Sequence, residues 1–102
     1  MTIDEVKQYV SQGKLKWSQH CAAQMANRDI STDDVLNCIE TGEIIEDYPD
    51  DFPYPSCLIF GHAKSNHVIH VVAGSDGEFL YLITAYIPNT VKFEDDLKTR
   101  RL

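Results

Sequence analysis

The stretch GEIIEDYPDDFPYPSCLIFGH, residues 42–62, decides how this chain folds. Up to Gly42 the apolar residues recur at helical spacing; beyond it, runs of Ile, Val, Leu, Tyr and Phe are bounded by turn residues. Within the stretch, 43–48 and 56–62 read as strands, and the connection at 49–55 is short enough to join antiparallel neighbours. The pattern repeats at 67–73 and 79–87, through connectors at 63–66 and 74–78.

Upstream, three short helices are expected. Thr2-Ile3-Asp4-Glu5 has capping-box spacing, with Ile3, Val6 and Val10 on one face and Gly13 suited to a left-handed stop. Ser18 caps a second helix, with Trp17 just outside it and Ala22, Met25 and Ala26 along its apolar side. A third starts at Ser31, where Ile30 and Val35 stand at the positions of a hydrophobic staple; Val35, Leu36 and Ile39 form its buried stripe, and Gly42 ends it. The sum is an α+β domain spanning residues 1–102, with short N-terminal helices followed by a four-stranded antiparallel meander sheet. The charged tail, 95–102, reads as helical or frayed.

The last two strands are apolar on both faces. Val68, Val72, Leu80 and Leu82 alternate with Ile69, Val71, Tyr81 and Ile83, whereas a sheet with helices on one face ordinarily shows a polar second face. Either the N-terminal helix covers that second face, or a partner does: a homodimer through the apolar sheet face, or another protein.

The chain carries sixteen acidic and nine basic residues, a net charge of −7. That balance argues against gripping duplex DNA or anionic lipid with the whole surface. The acidity is concentrated, however: between Asp29 and Ala63 there are nine acidic residues and no Lys or Arg. The cations all lie outside this block, which leaves it as a surface for a basic partner. No apolar run approaches the roughly 20 residues of a bilayer span, and no basic-then-apolar start marks a secretory signal. A cytoplasmic protein without membrane contact is expected.

Cys21, Cys38 and Cys57 are odd in number, widely spaced and flanked by apolar residues, and so read as reduced core thiols. Histidine is the candidate reagent, because its charge changes near neutral pH. His67 and His70 lie an odd number of residues apart on one strand and face opposite ways, so they make no chelating pair; no metal or cofactor is expected. Pairing Ala73 with Phe79 across the Gly-containing turn places His70 opposite Leu82, with His70, Thr84 and Tyr86 on one face. On the second helix His20, Gln24, Asn27 and Arg28 form a polar stripe. The plainer alternative is a solvated helix face together with a core histidine bonded to a backbone carbonyl.

These residues match a known pattern. Trp17-Ser18-Gln19-His20, Met25 and Arg28-Asp29-Ile30-Ser31, then 42–49, Pro53-Tyr54-Pro55-Ser56, His70-Val71-Val72 and 83–88, resemble a small bacterial family catalogued as domain of unknown function 4258, over about residues 15–90. The resemblance implies a fold related to the RelE and barnase-like ribonucleases, and toxins of toxin–antitoxin pairs, with RNA as substrate and a small zinc-binding antitoxin-like protein as partner. Carried over residue by residue, it points to His20, Arg28, His70, Thr84 and Tyr86 as catalytic. Gln24 stands where the pattern has Arg, and Asp29 where it has Gly, which removes one phosphate-binding charge. The implied chemistry is metal-independent RNA cleavage. His20 and His70 act as the acid–base pair, Arg28 contacts phosphate, Tyr86 stacks on or orients a base, and Thr84 positions a neighbour. The alternative is a non-catalytic protein- or RNA-binding module of the same fold.

Overall fold

The computed structural model describes residues 1–102. Three helices, α1 (Ile3–Ser11), α2 (Gln19–Asn27) and α3 (Thr32–Thr41), are capped where their sequences ask for it. Thr2 with Glu5, and Ser31 with Asp34, close capping boxes, and the Ser18 hydroxyl accepts from the Cys21 N–H at 2.9 Å. Gly13 takes the left-handed conformation expected of it, with φ +69°.

The sheet has five strands, not four, and is mixed. β2 (Glu43–Tyr48), β3 (Ser56–His62), β4 (Val68–Ser75) and β5 (Leu80–Tyr86) form the expected antiparallel meander. The expectation of a purely antiparallel sheet fails at β1 (Leu15–Trp17), which pairs in parallel with β5 and gives the order β1-β5-β4-β3-β2. At three residues β1 is too short to show an alternation, and its partner lies 65 positions away. The Leu80 N–H donates to the Lys14 carbonyl and the Ser18 N–H to the Leu82 carbonyl, so the edge ladder runs without a break into the cap of α2.

The helices cover one face of the sheet. Val6, Cys21, Met25, Val35, Cys38 and Ile39 meet Cys57, Ile59, Ile69, Val71, Ala73, Leu80, Leu82 and Ala85 in a single core. All three cysteines are free and buried, and burial pushes the Cys38 thiol up to about 12 and the Cys57 thiol to about 11, so they stay neutral core groups. The sheet approaches α3 closely at Gly61, where a Cβ would stand 2.1 Å from the Cys38 carbonyl oxygen.

The second face has an unexpected cover. α1 does not provide it, because Val6 belongs to the helix-side core. Residues 89–102, their tail 95–102 expected to be helical or frayed, instead turn back across the sheet and bury Phe93 to 2% exposure, closed on themselves by a bridge between Phe93 and Arg100. No helix is long and apolar enough to cross a membrane.

The two glycines separate steric from conformational cost. Gly61→Ala is expected to lose at least about 2 kcal/mol of stability through overpacking, and Gly13→Ala, whose Cβ meets nothing, about 1 kcal/mol through its left-handed backbone. Urea denaturation of the two variants checks the order, which reverses if the contact with Cys38 relaxes freely.

Candidate functional site

His70 sits in the middle strand between Phe60 of β3 and Tyr86 of β5, its register partners on either side. Its neighbours Ile69 and Val71 point into the helix-side core, so alternation sends the imidazole to the other face, under residues 89–102. There it is 0% exposed. The Tyr86 hydroxyl lies 3.1 Å from Nδ1 and the Leu97 carbonyl 2.6 Å from Nε2. A carbonyl only accepts, so Nε2–H donates to Leu97, and in the neutral ring Nδ1 accepts from the Tyr86 O–H. Burial holds the His70 pKa below its ordinary value, against the opposing pull of the Leu97 carbonyl and Glu46.

The cover is fastened by charge. Arg100 donates Nε and Nη2 to the two carboxylate oxygens of Glu46, both at 3.0 Å, and its guanidinium lies 4.8 Å from the Phe93 ring centroid. Glu46, held below its ordinary pKa first by Arg100, also accepts from the Tyr48 hydroxyl. Lys98 pairs with Glu43 at 3.2 Å and lies 4.7 Å over the Phe60 ring. The Phe93 ring stands edge-on to His70, with centroids 4.7 Å apart. Glu46, Tyr48, Phe93, Leu97 and Arg100 thus belong to the His70 cluster, and reading the sequence missed them all. The one available signal was Phe93, a large apolar residue in an otherwise charged segment.

Beside this cluster a groove of about 370 Å³ opens between the end of α2, the end of β5 and the returning segment. Arg28, Lys92, Arg100, Tyr86 and Asn89 line it. Arg100 is committed to Glu46, whereas Arg28 and Lys92 have no ion-pair partner. Arg28 is there because it caps α2 at its C-terminal end, and Lys92 because the chain turns after β5.

Of the residues singled out from sequence, His70, Thr84 and Tyr86 share the outer face, as expected, although the assumed register is wrong. The turn closes at Ser75–Leu80, not Ala73–Phe79, and Ile83 bulges out of β5, so His70 faces Tyr86 and not Leu82. The turn alone shifts the pairing by an odd number of positions, and the bulge adds one more, restoring the parity that keeps the three together. Asp76 sets that turn, its Oδ1 accepting from the N–H groups of Glu78 and Phe79 at 2.9 Å. Arg28 and Tyr86 meet in the groove. His20 stands exposed on the first turn of α2, with no hydrogen bond and no contact to His70. No group of three or more His, Cys, Asp or Glu is arranged to hold a metal ion.

A family model described as a domain of unknown function (DUF4258) matches residues 17–87, and the chain belongs to that family. The match takes in α2, α3 and the whole sheet but for the first two residues of β1, and ends before the segment that covers His70. No curated protein and no solved structure matches the chain.

The buried, neutral His70 predicts a pH dependence of stability. Its folded pKa is lowered from 6.5, so the unfolded chain binds the extra proton first and stability falls as pH drops through about 6.5. A titration followed by NMR is expected to place His70 below 6.5 and to show unfolding free energy declining from that pH downward; a His70 midpoint above 6.5 contradicts the assignment.

Proposed function

We propose that this protein acts on RNA, as a member of the RelE/barnase-like class of small ribonuclease toxins, and that the groove at the end of α2 and β5 grips the phosphodiester backbone. The observation that carries the reading is the presence of two unpaired cations, Arg28 and Lys92, beside Tyr86 in one groove of a chain whose net charge is −7. Such a groove offers charge-assisted hydrogen bonds to phosphate oxygens and an aromatic ring to an unpaired base, the two elements of single-strand recognition. The acidic block from Asp29 to Asp51 complements a basic partner such as an antitoxin-like protein.

Cleavage is the further step, favoured by the hydrogen bond between Tyr86 at the groove wall and His70 behind it. In this chemistry the ribose 2′-oxygen forms a bond to phosphorus as its proton passes to a base, and the bond to the 5′-oxygen breaks as that oxygen receives a proton from an acid. His70, reached through Tyr86, is the one histidine beside the groove and carries one proton, with water carrying the other. Arg28 stabilises charge on the phosphoryl oxygens and Thr84 orients a neighbour, whereas His20, at the opposite end of α2 from the groove, is not placed to share a phosphate with His70. Non-catalytic RNA binding by the same fold is the second reading, favoured by the complete burial of His70 and the engagement of both its ring nitrogens.

Fluorescence anisotropy with a single-stranded oligoribonucleotide is the decisive measurement. Arg28→Ala and Lys92→Ala are each expected to weaken binding several-fold and to flatten the slope of log affinity against log salt by about 0.7, the value for one phosphate on a single strand. In EDTA, loss of cleavage in His70→Asn with binding kept supports catalysis, and binding without cleavage by the wild type selects the second reading. A wild-type protein that binds no RNA at low salt sinks the proposal.

A further inference from the structure

Residues 93–100 present to His70 the same chemical groups that a bound nucleotide would present. The Leu97 carbonyl offers an oxygen acceptor to Nε2–H at 2.6 Å, the role of a phosphoryl oxygen. The Phe93 ring meets His70 at right angles and lies beneath the Arg100 guanidinium, filling with an aromatic ring the space a base would take. Phe93 is also part of the wall of the groove that holds Arg28 and Lys92. We propose that the sheet face under this segment, formed by Phe60, His70, Thr84 and Tyr86, is a concealed nucleotide subsite of the RNA groove, and that residues 93–100 occupy it as an intramolecular mimic which RNA displaces while Lys92 stays in the groove wall. The inference rests on the RNA reading above and names how that site is completed.

The attachment of the segment fits a displaceable cover. Its hold consists of one buried ring, one carbonyl, and ion pairs of Arg100 and Lys98 with Glu46 and Glu43 at the exposed rim. Those two cations are the groups a polyanion attracts, so an incoming strand competes with Glu46 and Glu43 for them. Leu97 keeps a left-handed backbone, φ +58°, a conformation a branched side chain adopts at a cost, so the segment is bound under local strain. It also lies outside the residues that match the family model.

The test uses the whole chain and one neutral substitution. In the wild type, the Phe93 and His70 rings stand 4.7 Å apart, so a nuclear Overhauser effect between their ring protons reports the closed segment. Adding a saturating single-stranded oligoribonucleotide is expected to abolish that effect, with the effects between β3 and β4 unchanged. Phe93→Ala removes the buried ring without altering charge, and is expected to raise the rate at which diethylpyrocarbonate modifies His70 and to tighten RNA binding several-fold. A Phe93–His70 effect retained at saturating RNA overturns the proposal, as does a folded Phe93→Ala protein that exposes His70 yet binds RNA no more tightly than wild type. If neither protein binds RNA by anisotropy, the RNA reading itself has failed, and His70 modification in Phe93→Ala then reports the cover alone. Because the ring-to-ring measurement needs no variant, instability of Phe93→Ala leaves the proposal open to refutation.

Discussion

β4 lies in the middle of the sheet with apolar side chains on both sides, and water has to be kept from both. The helices do this for Ile69, Val71 and Ala73. On the other side the buried groups are Leu58, His70 and Phe93, and the last of these belongs to the segment that folds back. His70 is the one polar group in this second layer that needs two partners, and it finds one on β5 and one on the returning backbone. Left without them, each buried ring nitrogen costs about 1–3 kcal/mol, comparable with what the burial of one apolar side chain returns. The hydrogen bonds of one ring therefore tie the sheet, the groove wall and residues 89–102 into a single arrangement.

That arrangement also organises the charge. A net −7 describes the chain poorly, because the acidic block and the cations are apportioned to different places. Arg100 and Lys98 reach back to Glu46 and Glu43, so part of the acidic block is neutralised by the same segment that covers His70. Two of the six cations without an ion pair, Arg28 and Lys92, lie together where α2 ends and β5 turns away. The groove is basic by subtraction: it is where cations remain after the nearby acids have been satisfied.

The dual role of Tyr86 follows from its position at the boundary. Its ring lines the open groove and its hydroxyl reaches the closed layer, so it joins the solvent-facing cations to the buried histidine. Any movement of Tyr86 changes the hydrogen bonding of His70 at Nδ1, and any movement of the returning segment changes it at Nε2. The groove on one side and the chain's own segment on the other thus meet at a single imidazole.

Much of this was legible in the residues. The capping box at Thr2, the helix start at Ser31, the switch of period after Gly42 and the four meander strands are local patterns, and local backbone sterics and side-chain spacing determine them. The common face of His70, Thr84 and Tyr86 was also legible, although the pairing assumed for it was wrong and the parity survived only because a bulge at Ile83 compensated the turn. The doubly apolar strands announced a second cover without naming it. Tertiary structure alone decided the parallel edge strand at Leu15–Trp17, the bidentate pair between Glu46 and Arg100, and the burial of Phe93 over His70. Each of these joins positions tens of residues apart through contacts that leave no periodic trace along the chain, so only the closed fold, by placing both ends of each contact in space, determines them.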